Sequence, residues 1–92
     1  MIRLNCLFQA KEDRLEDALR AAKELTAASL EQDGCIAYDV FSSATRTGIL
    51  LICETWRDEA SLAAHSASEP FAKNVAIIND CGKMKIEKFE MQ

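Results

Sequence analysis

The stretch Ile49-Leu50-Leu51-Ile52-Cys53 is apolar at every position, in a chain of only 92 residues. Read as a strand, it turns successive side chains to opposite faces. Ile49, Leu51 and Cys53 then line one side and Leu50 and Ile52 the other. A chain this short builds one domain around one core, and its few helices can cover only one face of a sheet. Each buried Leu or Ile is worth ~1.5–3 kcal/mol, so the second face needs a cover from outside the chain. The simplest cover is a second copy of the same sheet. This segment therefore predicts a homodimer with a face-to-face sheet interior.

The other segments fall into place around it. Ile2 to Gln9 alternates, with Ile2, Leu4, Cys6 and Phe8 opposing Arg3, Asn5, Leu7 and Gln9, which reads as a strand. Leu15, Ala18, Leu19, Ala22, Leu25, Thr26 and Ser29 recur at helical intervals and form one stripe. Asp13, with Glu16 three residues on, predicts the helix N-cap, and Gly34 predicts its C-terminal stop. Cys35 to Ser42 and Ile49 to Trp56 read as two strands joined through the polar loop Ser43–Gly48. Asp58 can cap a short helix running towards His65. Pro70 suits the first turn of a second segment on which Phe71, Val75 and Ile78 share a face. Asp80-Cys81-Gly82 breaks that segment, and Lys83 to Glu90 alternates as a last strand. The order β-α-β-β-α-β is the ferredoxin-like α+β arrangement, a four-stranded antiparallel sheet in a single domain spanning 1–92.

Charge and composition exclude several function classes. The formal charge is −4, with Lys and Arg interleaved among Asp and Glu, so no basic cluster awaits the phosphates of a nucleic acid. No apolar run approaches the ~20 residues of a membrane span. Met1-Ile2-Arg3-Leu4 opens directly on strand-like alternation without the regions of a signal peptide, which predicts a cytoplasmic location. Cys6, Cys35, Cys53 and Cys81 are scattered and form no C-x-x-C. They are expected to be reduced, with a structural role, and not to bind zinc. Gly34, Gly48 and Gly82 build no G-x-G-x-x-G loop, and a single His without paired carboxylates suits no metal oxygenase. No cofactor is expected.

The chemistry-bearing residues gather between Glu54 and His65. Trp56 and His65 are the only residues of their kinds, and strand parity puts Glu54 on the same side as Trp56. A carboxylate among Leu50, Ile52 and an indole must be paired or partly neutral. Glu54 either orients His65 by accepting its ring N–H or forms a structural link to Arg57, Arg3 or a partner cation. With an ordinary pKa of ~6.5, His65 can take a proton near neutrality and return it; the alternative is a helix histidine that packs or points to water. Trp56 is a pocket wall, a core residue, or both. Asn5 either meets a substrate oxygen or is solvated. Tyr38 and Phe71 read as packing residues that shape the cavity, although a bulge would reverse the face Tyr38 occupies.

Asp33-Gly34-Cys35-Ile36-Ala37-Tyr38-Asp39-Val40, then Glu54-Thr55-Trp56-Arg57-Asp58, then Leu62 to His65, Ser68 and Phe71, together resemble the antibiotic biosynthesis monooxygenase family. The resemblance runs in order over nearly the whole chain and implies a dimeric α+β barrel. The family includes cofactor-independent quinol and anthrone monooxygenases, haem-degrading enzymes and an isomerase of a phosphorylated signalling molecule. In the haem-degrading branch the first-strand Asn would fall on Asn5. The helix Trp would fall on His65 and the iron-ligating His near Val75, which cannot bind iron. The quinol oxygenases and the isomerase fit better, because both carry Glu and His where this chain has Glu54 and His65.

The resemblance implies a small-molecule substrate and dioxygen. An oxygenase without cofactor must draw its electrons from the substrate, as a quinol or polycyclic phenol provides once deprotonated. The protein then supplies a base, a dry apolar cavity and donors for the developing anion. His65, the Leu50, Ile52 and Trp56 surface, and Asn5 are the candidates for those tasks, with Glu54 as the partner of His65. The same set would serve an isomerase, and a non-catalytic dimeric ligand-binding module is the third reading.

Overall fold

The computed structural model describes residues 1–91. Its elements are β1 (Ile2–Ala10), α1 (Leu15–Leu30), β2 (Cys35–Ser42), β3 (Ile49–Trp56), α2 (Glu59–Ser66), α3 (Glu69–Cys81) and β4 (Gly82–Glu90). The strands form one antiparallel sheet in the order β2-β3-β1-β4, and the connectivity is the expected ferredoxin-like α+β arrangement. Among the described residues no helix is long and apolar enough to cross a membrane.

The double parity of β3 resolves as the sequence predicts. Leu50 and Ile52 are buried in the core with Ile2, Cys6, Phe8 and Leu25, on the face that carries the helices. Ile49, Leu51 and Cys53 take the opposite face and are only half-buried. Neighbours on that face, Leu7 and Phe41, are 40% and 50% exposed. Nothing within the described chain covers it.

Two local expectations are corrected. Asp13 does not cap α1: it sits one residue outside, at a φ of +68°, and the N-cap position is Arg14, whose side chain makes no cap bond. The chain must reverse sharply here, since Lys11 N–H donates to Cys81 O and Arg14 N–H to Lys11 O. Asp is among the few residues that take such a left-handed position readily. Gly34 does not end α1 either, because the helix stops at Leu30 and Gly34 turns the chain into β2 at a φ of +82°. A Cβ there would also overlap the Ser61 hydroxyl, so Gly34 is where α2 passes closest to the loop.

The later caps follow the sequence. Asp58 accepts from the Ser61 amide at 2.8 Å and starts α2. Ser68 caps α3, with Pro70 in its first turn. These two starts deliver His65 to the end of α2 and Phe71 to the beginning of α3, over one end of the sheet.

A bulge in β2 completes that end. Cys35 pairs with Trp56, but Ala37 pairs with Thr55, so Ile36 is an extra residue. Without the slip Tyr38 would lie opposite Cys53 on the outer face. With it, Tyr38 lies opposite Glu54 and is buried beneath the helices.

Candidate active site

Glu54 is the centre of the site. It is 5% exposed on the helix-covered face of β3, and it gathers donors from two strands. Trp56, two residues along the same face, donates its indole N–H to Oε1 at 2.9 Å. From β1, the Cys6 thiol meets Oε2 at 3.8 Å. Tyr38 lies directly across on β2. Burial raises the Glu54 pKa, and these donors pull it back towards the charged form. Its charge in turn reinforces what burial does to its neighbours. The Cys6 thiol is pushed up to about 12 and the Tyr38 hydroxyl well above its ordinary range, burial being the larger cause for both.

His65 comes down onto this carboxyl from α2. The ring is 2% exposed, and burial pulls its pKa down to about 4, so it is a neutral imidazole at pH 7. Its Nε2 lies 3.9 Å from Glu54 Oε1, too far for a hydrogen bond, while Nδ1 is 2.7 Å from Gln32 Oε1. Aromatic groups hold the ring in place. Its centroid is 4.5 Å from that of Trp56, 5.1 Å from Phe71 in an edge contact, and 5.7 Å from Tyr38.

Beside these groups a cavity of about 270 Å³ opens between the sheet and helices α2 and α3. Tyr38, Ile52, Glu54, His65 and Phe71 all line it, together with Cys6, Leu62, Val75 and Met84. The wall is largely apolar, with the carboxyl and the imidazole as its ionisable groups besides Cys6 and Tyr38. Such a cavity suits a small, mostly apolar molecule carrying one or two hydrogen-bonding tips.

Two of the sequence-derived assignments change, and that of Trp56 resolves to its core alternative. Trp56 is fully buried behind Glu54 and orients the carboxyl without forming the wall. Leu50 is also off the wall. It lies four residues from Glu54, level with Phe8 in the core. Asn5 is not brought to the site at all. Leu4 pairs with Glu54, so Asn5 pairs with Cys53 and Glu87 and points to the opposite face of the sheet. Its Oδ1 is buried there without a hydrogen-bond partner among the described residues.

Sequence reasoning missed Cys6 and Gln32. Cys6 shared the apolar parity of β1 with nothing to mark it as a donor. The only signal for Gln32 was its place directly before Asp33-Gly34.

Comparisons with known proteins agree with the fold. A solved structure of a conserved protein of unknown function from Bacteroides thetaiotaomicron VPI-5482, described as a possible oxidoreductase, superposes with a TM-score of 0.95 at 51% identity. The match covers 98% of this chain and 96% of that one. A solved antibiotic biosynthesis monooxygenase gives a TM-score of 0.91 over 100% of this chain and 99% of its own. Its identity is 24%, so it speaks to the fold alone. The Bacillus subtilis (strain 168) protein named "Putative monooxygenase YcnE" is 29% identical over 76 residues, which are 83% of this chain and 80% of that protein. The pattern of one family matches residues 1–76, a span that holds β1, the bulged β2, Glu54, Trp56, His65 and Phe71: this chain belongs to the antibiotic biosynthesis monooxygenase family.

Proposed function

We propose that this protein is a cofactor-independent monooxygenase of a small quinol or related phenolic substrate, with His65 as the base. The observation that carries the reading is the meeting of one buried, neutral imidazole with a buried carboxyl on the wall of an apolar cavity of about 270 Å³. The name of the Bacillus subtilis relative points the same way.

The chemistry balances without a further reductant. A substrate hydroxyl gives its proton to His65, and the electron-rich anion passes one electron to dioxygen. The two radicals combine at a ring carbon as a peroxide anion, which takes the proton back from His65 and becomes a hydroperoxide. One oxygen atom stays on that carbon and the other leaves as water, so the substrate supplies all four electrons that reduce dioxygen. Within the cavity the imidazolium formed in the first step lies 3.9 Å from Glu54, whose charge stabilises it. The apolar wall keeps water from the anion and the hydroperoxide.

An isomerase of a phosphorylated molecule is less well served. Among the described residues lining the cavity there is no Lys or Arg to meet a phosphate. The outer face of the sheet, with Leu7, Phe41, Ile49 and Leu51, supports a homodimer closed face to face.

Oxygen consumption with a panel of quinols and anthrones tests the assignment. One or more should be turned over without added flavin or metal. His65→Ala should lower that rate roughly 10²–10⁴-fold, the usual worth of a positioned general base. No uptake above background, or a His65→Ala protein as fast as wild type, overturns it.

A further inference from the structure

We propose that Gln32 is a positioning residue: through Ser68 it locks the neutral His65 ring with its proton on Nδ1, so that Nε2 is the basic nitrogen turned to the cavity. The inference deepens the reading of His65 as the base.

The argument is a chain of donors and acceptors whose directions are forced one after another. It begins at the His65 backbone carbonyl, which can only accept. The Ser68 hydroxyl lies 2.6 Å from it and must donate its single proton there. The Ser68 oxygen is then left to accept, and the Gln32 side chain reaches it at 3.1 Å. Only the amide nitrogen can donate to it, so the Gln32 amide has one orientation, with Nε2 on Ser68 and Oε1 on the ring. That carbonyl oxygen is 2.7 Å from His65 Nδ1 and has no proton to give. A contact this short requires the proton on Nδ1, which leaves the lone pair on Nε2.

A competing arrangement would put the proton on Nε2, facing Glu54. The distances decide between them. Nδ1 to Gln32 is a full hydrogen bond, whereas Nε2 to Glu54 Oε1 is 3.9 Å and is not one. The protonated-Nε2 ring would also set the Nδ1 lone pair against the Gln32 carbonyl, two acceptors at 2.7 Å.

The backbone holds this relay still. Gln32 N–H donates to Ser29 O, and Gln32 O accepts from Cys35 N–H, so the residue is pinned on both sides of the turn between α1 and β2. Ser68 is pinned as the cap of α3, its amide donating to His65 O. Both ends of the relay therefore rest on structural elements, and the amide between them has little freedom to flip.

The chain has a single histidine, so ring nitrogen NMR on the labelled protein reads the tautomer without ambiguity. On the neutral ring, wild type should show a protonated Nδ1 and an unprotonated Nε2. Gln32→Ala should lose that preference. Gln32→Glu, which keeps an acceptor against Nδ1, should retain it. Ser68→Ala removes the group that orients the amide and should weaken the preference without touching the ring's contacts. With a substrate found by oxygen uptake, Gln32→Ala should lower kcat about tenfold, the worth of one neutral hydrogen bond, with KM little changed. A wild-type ring protonated on Nε2, or a Gln32→Ala ring unchanged from wild type, overturns the proposal. The NMR result stands whether or not any substrate is found, so its failure and that of the oxygenase reading are separate events.

Discussion

The burial of His65 costs the fold stability in acid. In the folded protein the ring takes up a proton only at about 4, against 6.5 ordinarily, because burial disfavours the charged form. The unfolded chain therefore binds one more proton than the native protein between those values. Stability is complete above pH 6.5 and is lost as the pH falls from there towards 4. At ~1.36 kcal/mol per pH unit the loss approaches about 3 kcal/mol. A domain of this size holds roughly 5–14 kcal/mol in all, so the effect is a large one. In urea, with a slope of ~1–3 kcal/mol per molar, the midpoint should fall by roughly 1–3 M between pH 7 and pH 4.

Glu54 acts in the opposite sense. Its raised pKa means that the native state protonates first, so its contribution is present at low pH and lost as the pH rises through the folded pKa. It offsets part of the histidine term, which makes 3 kcal/mol an upper value. Asp58 is held down to about 2, and Asp33 below its ordinary range, by their partners Ser61 and Arg57; what they contribute is lost in more acidic solution. Urea unfolding of wild type and His65→Gln across this pH range is the assay. The variant should lose the slope between pH 6.5 and 4, whatever its stability at pH 7. Equal slopes, or a His65 ring that titrates near 6.5 by NMR, would refute the reasoning.

Gly34→Ala should destabilise the fold by about 2 kcal/mol or more in thermal or urea unfolding, because the residue is at a positive φ and its new methyl meets Ser61. Adding Ser61→Gly should recover part of that loss, and no recovery would place the whole cost in the backbone. Thiol titration should find four groups per chain in denaturant without reductant, and Cys6, buried and pushed up to about 12, should stay silent in the native protein. Sedimentation should find a dimer at micromolar concentration, and Leu51→Arg on the outer face should dissociate it; a wild-type monomer would remove the case for a covered sheet.

The sequence carried the fold almost to its element boundaries, because hydrophobic period and turn chemistry are local signals. The β3 run Ile49–Trp56, the Asp58 cap and the Pro70 start are all written within a few residues of where they act. Asp13 shows where local reading ends. The motif of a cap was present, but the reversal after β1 is set by Cys81, nearly seventy residues away, and it takes Asp13 for the bend. Asn5 shows the same thing for the site. Its residue type suited a substrate oxygen, yet its place on β1 between Leu4 and Cys6 turns it to the other face of the sheet.

The division of labour at the site follows from contacts that only the pairing of strands reveals. Glu54 to Trp56 is a spacing of two and could be anticipated, but Cys6 reaches the carboxyl from β1, and Tyr38 comes opposite it on β2 only through a one-residue slip at Ile36. Glu54 is held by the Trp56 indole N–H on one oxygen and the Cys6 thiol on the other. His65 Nε2 makes no hydrogen bond among the described residues and lies 3.9 Å from the carboxyl, and both residues line the cavity. In the proposed reaction an incoming hydroxyl meets a free acceptor on the imidazole. On that proposal the carboxyl, kept in place by Trp56 and Cys6, stabilises the charge that the proton leaves there.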